Sequence, residues 1–255
     1  MEKSRLLWAA SDSWVMLQRN IKHLVRNPES LFINIFLPVV LMLMFVYVFG
    51  GAIQTGTAYV NYIVPGIIIF CAGYGSSMTA VSVSQDRLGG LFERLRSMPV
   101  HPSSFMLGHV IGSFVRNAIS AALVFVVAFL LGFRPEAGWL DWLGVVLLLS
   151  LFILSVCWLA VVFGLLAKSV ETASAFTFIV MFMPYISSAF VPTDTMPSWL
   201  RAYADYQPFT PLIETLRGLL LDTDIGRQSW IAVVWFGGLL FVSYIVAMIL
   251  FRRRG

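Results

Sequence analysis

Ionisable side chains that could carry catalysis, or couple transport to an ion gradient, are almost absent from the apolar stretches of this 255-residue chain. Such groups are costly in lipid and persist there chiefly for function. Arg116 lies one or two helical turns into one apolar stretch and His109 lies near its end, while Lys168 and Glu171 lie in a short polar turn. Because no carboxylate lies at mid-membrane depth, the sequence disfavours proton- or sodium-coupled transport.

Motifs for other chemistries are also missing. The chain has no HExxH zinc motif, no GxSxG nucleophile elbow and no GxxxxGK[ST] phosphate-binding loop. Cys71 and Cys157 lie inside apolar stretches, where a thiol behaves as a small hydrophobic group. We therefore expect no catalytic residue, no metal ligand, no disulfide and no cofactor on this chain.

The composition indicates an all-α integral membrane protein. Hydrophobic residues make up 59% and charged residues 12% of the chain, whereas a soluble domain carries roughly 25% charged residues. Six continuous apolar stretches are each long enough to cross a bilayer of about 30 Å as a helix, and they lack the alternation of barrel strands. The six predicted transmembrane helices are 31–50, 59–84, 108–132, 142–167, 172–191 and 230–251.

The distribution of basic residues predicts the orientation. The net charge is +4, but the basic residues lie beside apolar stretches rather than on one polar face, which disfavours a nucleic-acid partner. Lys and Arg are enriched in cytoplasmic segments, and only Arg134, Arg201, Arg217 and Arg227 lie on the opposite side from the N-terminus. We expect a multi-pass protein of the cell membrane with both termini in the cytoplasm.

Three polar segments are patterned as well. Residues 1–30 predict an amphipathic helix on the inner membrane surface; a helix packed on a partner protein is the alternative. The second amphipathic segment, 86–102, belongs to the predicted six-span domain 31–255. A soluble partner could bind this segment and transmit its movement to the membrane helices. The outer segment 192–229 predicts two short helices that dip into the outer leaflet or cap a pathway, with an ordinary folded loop as the alternative.

Two spans carry distinctive faces. The second has small residues every four positions, from Ala72 to Ser84, which permits close helix packing. In the fifth, Phe178, Phe182 and Tyr185 fall at positions i, i+4 and i+7 beside methionines, and Pro184 should bend the helix. Such a surface can adapt to bulky amphiphiles, although ordinary helix packing is the alternative.

Three ordered segments resemble the membrane subunits of type-2 ATP-binding-cassette exporters, especially the daunorubicin and multidrug efflux branch. They are RNPESLFINIFLPVVLMLMF (26–45), ERLRSMPVHPSSFMLGHVIGS (93–113) and SSAFVPTDTMPSWLRAYADYQPFTPLIETLRGLL (187–220). The resemblance implies two six-span permeases and two cytosolic ATPases, with ATP and Mg²⁺ bound by the ATPases. It also implies export of an amphiphilic drug, antibiotic or lipid-like compound.

The resemblance assigns roles to particular residues. Spans two and five would line the path, with Phe178, Phe182 and Tyr185 as its candidate wall. The residues that would meet the ATPase are Glu93, Arg94, Leu95 and Arg96, together with Arg19, Lys22 and Arg26 of the N-terminal helix. Polysaccharide or lipid-linked glycan export shares this layout, and a membrane scaffold or sensor is a further alternative. A passive channel is disfavoured because the spans offer no charged ring.

Overall fold

The computed structural model describes residues 28–53, 58–90 and 102–254, with side chains for 36–53, 58–90 and 106–251. The described part is helical and contains no strand. Its eight α-helices are α1 (Pro28–Met44), α2 (Tyr59–Leu88), α3 (Pro102–Leu130), α4 (Trp139–Leu166), α5 (Val170–Phe182), α6 (Ser198–Tyr206), α7 (Phe209–Leu221) and α8 (Gln228–Arg254). A π-helical turn, Phe45–Phe49, continues α1, and a 3₁₀ turn, Met183–Ile186, continues α5. A second 3₁₀ turn, Thr193–Thr195, precedes α6.

Four helices in the described part are long and apolar enough to cross a membrane: α2, α3 from Met106, α4, and α8 as far as Phe251. The apolar parts of α1 and α5 are shorter, at Phe36–Phe49 and Val170–Ile186. The prediction of an all-helical, multi-pass protein is therefore confirmed. The count of six spans stays a prediction.

The fifth predicted span is wrong at its end. Residues 172–191 were expected to form one helix, but the chain leaves helical geometry after Ile186, and Ser187 is extended at φ −123° and ψ −174°. The cause is Pro184, which has no N–H to donate within a helix and crowds the preceding turn. The helix changes from α to 3₁₀ geometry at Met183, beside this proline, and the five residues after Ile186 form a separate, non-helical segment.

The core lies around α2 and α4. Within the most apolar stretch of each helix, 78% of α2 and 67% of α4 are buried, against 17% of α8. The two helices approach closely at Gly164, where a Cβ atom would lie 2.6 Å from the Ala80 carbonyl oxygen. Ala80 belongs to the small-residue ladder of α2, and its members Ala72, Ser76, Ala80 and Ser84 are fully buried. The ladder is therefore a packing surface.

Both cysteines are buried. Cys71 lies in α2 and Cys157 in α4. That they form no disulfide stays a prediction.

Candidate functional site

An open aromatic surface lies on α5 and the turn that follows it. Phe178, Phe182 and Tyr185, together called the aromatic face, are exposed by 58%, 55% and 37% in the single chain. The rings of Phe182 and Tyr185 have centroids 6.1 Å apart. Exposed apolar patches mark sites for membrane lipid, a bound compound or another chain, so the aromatic face is available to any of these.

Tyr185 links the aromatic face to α2 and α1. Its ring meets Phe70 of α2 edge-on at 5.9 Å and stacks on Phe190 at 4.8 Å. Phe190 in turn stacks on Phe45, in the turn that follows α1, at 4.7 Å. Phe70 is only 1% exposed, so α2 supports the aromatic face from behind. That α2 itself lines a path stays a prediction.

The non-helical residues 187–191, here called the unwound segment, are mostly buried: Ser187, Ser188, Ala189 and Phe190 are exposed by 3% or less. Irregular backbone within a membrane protein must find its hydrogen bonds inside the protein. Side chains of α2, together with Gln207 at the end of α6, provide them. Tyr59 Oη donates to Phe190 O at 2.8 Å, Tyr62 Oη to Ser188 O at 2.9 Å, and Gln207 Nε2 to Ile186 O.

Arg217 of α7 fixes the unwound segment to α2. Its Nη2 donates to Ser188 O at 2.8 Å and to Tyr62 O at 3.2 Å, and its Nη1 lies 2.5 Å from the Glu214 carboxylate. The guanidinium also lies 3.7 Å from the centroid of the Tyr62 ring, in the geometry of a cation–π contact. From the sequence, Arg217 was expected only to be a charge on the outer side of the membrane. The one local signal of its partner is Glu214, three residues earlier.

An acidic cavity of about 530 Å³ opens beside Arg217, between α6, α7 and the start of α8. The acidic side chains that line it are Asp194, Asp205, Glu214 and Asp224. Arg201 lies 3.6 Å from both Asp194 and Asp205 at the surface. The segment 192–229 thus contains two short helices around a polar cavity, and its depth in the bilayer stays a prediction.

At the other end of the bundle, polar contacts tie α2, α3 and α4 together. Asp86 of α2 pairs with His109 of α3 at 3.1 Å. Arg87 donates to Leu165 O at 2.6 Å and to Ala167 O, at the end of α4, where a helix presents unpaired carbonyls. These contacts hold the two ends of the segment 86–102, since α2 continues to Leu88 and α3 begins at Pro102.

The predicted contact residues for an ATPase lie outside the described residues, so their assignment stays a prediction. They are Glu93, Arg94, Leu95 and Arg96 in the loop and Arg19, Lys22 and Arg26 near the N-terminus. Across residues 28–53, 58–90 and 102–254, no three His, Cys, Asp or Glu side chains lie together as a metal site would require.

These features define a class of protein: a multi-pass helical membrane protein with an exposed aromatic surface and a buried polar network at one end. Residues 12–221 match the model of the ABC-2 type transporter family. The match covers most of the chain, and the chain belongs to this family. It is therefore a membrane permease, and the resemblance drawn from three sequence segments is confirmed.

The chain is also similar in sequence to curated transporter permeases. The chain is 29% identical to the daunorubicin resistance ABC transporter permease protein DrrB1 of Streptomyces coeruleorubidus, over 96% of this chain and 88% of the relative. It is 25% identical to the probable doxorubicin resistance ABC transporter permease protein DrrC of Mycobacterium tuberculosis strain H37Rv, over 86% and 80%. The putative transport permease ycf38 of Cyanophora paradoxa is 24% identical, over 86% and 75%.

Proposed function

We propose that this chain is the membrane subunit of an exporter driven by a separate cytosolic ATPase, and that it moves an amphiphilic drug, antibiotic or lipid-like compound out of the cell. The family match over residues 12–221 carries this proposal, because it spans both the segment 86–102 and the outer helices. Similarity to permeases named for daunorubicin and doxorubicin resistance supports the substrate class. ATP and Mg²⁺ would bind the ATPase, with no cofactor on this chain.

The proposal includes six spans with both termini in the cytoplasm and an interfacial N-terminal helix. α1 and its π-helical turn contain 17 and five residues, which at 1.5 Å per residue reach about 33 Å. α5 and its 3₁₀ turn contain 13 and four residues, or about 25 Å. The unwound segment and outer helices would complete the fifth crossing and re-enter the outer leaflet. A polar segment held by side-chain donors is compatible with that depth.

The aromatic face would form one wall of the path, and a second permease copy or paralogue would form the other. Phe178 and Phe182 are open in the single chain although they lie on an apolar helix. Tyr47, in the π-helical turn that also contains Phe45, is 73% exposed. Aromatic side chains are enriched at protein interfaces, so a dimer accounts for both exposures.

Purification with the partner tests the proposed function. A tagged permease expressed with candidate ABC-type ATPases should retain one of them, and native mass spectrometry should give two permeases and two ATPases. ATP hydrolysis by the reconstituted complex should rise when an amphiphilic compound such as doxorubicin is added. A complex that forms but moves no compound would favour the scaffold or sensor alternative. Efficient export by the permease alone would contradict the proposal.

Truncating the aromatic face should change transport more than stability. We expect Phe182→Ala to lower export of the stimulating compound by about tenfold, since stacking and burial of one aromatic ring contribute about 1.4 kcal/mol to a contact. Phe241→Ala is the matched control, because Phe241 of α8 is 67% exposed and lies away from the aromatic face. Vesicle uptake assays compare the two variants. Equal losses of export in Phe182→Ala and Phe241→Ala would show that the aromatic face does not line the path.

A further inference from the structure

A band of polar side chains crosses the contact between α2 and α3. Thr79 Oγ1 donates to Ser113 Oγ at 2.9 Å, and Asn117 Nδ2 donates to Ser76 Oγ at 3.2 Å and to Ser113 O at 2.8 Å. These four residues are exposed by 3% or less. Arg116 lies at the edge of the band, where its Nη2 donates to Ser113 Oγ at 3.3 Å.

The band contains more donors than acceptors around Ser113. The Ser113 hydroxyl is approached by Thr79 Oγ1, by Arg116 Nη2, and by Asn117 Nδ2 at 3.3 Å. A hydroxyl oxygen has only two lone pairs. Arg116 Nε and Ser120 Oγ are buried without a partner in the described part of the chain. In the described part of the chain, the Arg116 guanidinium therefore has fewer bonded acceptor oxygens than donor groups.

Arg116 has fewer hydrogen-bond acceptors than two other arginines of the bundle, Arg217 and Arg87. Arg217 has a carboxylate and two carbonyl oxygens, and Arg87 has two carbonyl oxygens at the end of α4. Within the described ranges Arg116 has only the crowded hydroxyl of Ser113. Its side chain is partly exposed, and its Nη1 atom makes no hydrogen bond there yet stays accessible. The Nη1–Nη2 edge is thus open to a ligand.

The depth of this edge limits the ligand. Arg116 lies 14 residues, or about 21 Å, along α3 from Pro102, where the helix begins. Helical side chains lean toward the helix N-terminus, and the bond to Ser113, one turn earlier, follows that direction. The guanidinium therefore lies within the half of the span nearest the segment 86–102, too deep for bulk water to serve as its only partner.

We propose that Arg116 is the cationic centre of a binding site for a phosphate group, with the Nη1–Nη2 edge as the donor pair. Phosphate oxygens would supply the missing acceptors, and guanidinium groups bind phosphate through paired N–H donors. The phosphate can come from an anionic lipid of the adjacent leaflet or from a free ion. The proposed phosphate site does not depend on which compound is transported, and it should be present in the full-length permease without the ATPase.

The test is thermal unfolding of the purified permease in neutral detergent, followed by the fluorescence of its eight tryptophans. The probes are dioleoylphosphatidylglycerol, dioleoylphosphatidylcholine and inorganic phosphate. We expect the anionic lipid to raise the midpoint of the wild type by about 2–4 °C more than the zwitterionic lipid. Arg116→Gln should lose at least half of that difference. Lys168→Gln is the matched control, since Lys168 is an exposed cation near the same end of the bundle, and it should keep the difference.

Each result decides one point. A shift with inorganic phosphate alone that Arg116→Gln abolishes supports the site and assigns a free ion as its ligand. An equal shift in wild type and Arg116→Gln overturns the proposal, as does the absence of any shift with lipid or phosphate. If Arg116→Gln does not fold, Arg116→Lys replaces it. Lysine keeps the charge but not the paired donors, so a smaller shift supports the site and an unchanged shift overturns it.

Discussion

Arg217→Met should lower the free energy of unfolding by about 3 kcal/mol and reduce export in proportion to the folded protein that remains. The substitution keeps most of the side-chain volume but leaves Ser188 O and Tyr62 O without the donor that they now share. It also leaves Glu214 without its ion-pair partner. Breaking a buried ion pair costs about 3–5 kcal/mol, and Glu214 is partly exposed, so the low end applies. Chemical unfolding in detergent measures the change.

Arg201→Ala is the matched control for Arg217. Arg201 lies on α6, is half exposed and has its carboxylate neighbours at 3.6 Å. Exposed ion pairs contribute about 0–1 kcal/mol, so this variant should unfold almost as the wild type does. Tyr62→Phe removes one hydroxyl donor from Ser188 O and should cost about 1 kcal/mol. If Arg217→Met were as mild as Arg201→Ala, Arg217 would not be the anchor of the unwound segment.

Glu93→Ala and Arg96→Ala should lower substrate-stimulated ATP hydrolysis and export by at least about tenfold while the permease still inserts into the membrane. The reason is mechanical: both residues belong to the segment 86–102, whose two ends are held to the bundle by the Asp86–His109 pair and by Arg87. A tenfold loss corresponds to about 1.4 kcal/mol of coupling free energy. Reconstituted vesicles report hydrolysis and export together.

A control for these coupling variants is Lys168→Ala. Lys168 is exposed in the turn between α4 and α5, so its loss removes a charge that lies outside the segment 86–102 in sequence. Normal export with Glu93→Ala and Arg96→Ala would place the ATPase contact elsewhere, for example at Arg19, Lys22 and Arg26. Loss of ATPase binding without loss of basal hydrolysis would support the proposed contact.

Hydropathy predicted the long helices well, because each apolar stretch must form its own backbone hydrogen bonds in lipid. α4 begins three residues before and ends one residue before the predicted span 142–167. The disturbance of helical geometry beside Pro184 and the packing role of the α2 ladder also followed from local sequence. Both depend on chemistry within a few residues of the position concerned.

Long-range polar contacts could not be predicted in this way. Arg217 meets Tyr62 across 155 positions of the chain, and Thr79 meets Ser113 across 34. No periodicity in one helix shows which side chain of another will face it. The end of the fifth span was misjudged partly for the same reason. Helical geometry is lost beside Pro184, but the hydroxyl donors to Phe190 O and Ser188 O lie 131 and 126 positions earlier in the chain.

The anchor of the unwound segment also has a consequence for biogenesis. Tyr59 and Tyr62 reach the membrane early in synthesis, yet their acceptors at Phe190 and Ser188 follow 131 and 126 positions later, and Arg217 later still. A nascent chain that stops after α4 carries these hydroxyl groups without their final partners. The end of the bundle around Arg217 can therefore form its hydrogen bonds only when the last third of the chain has been translated, so truncated products lack them.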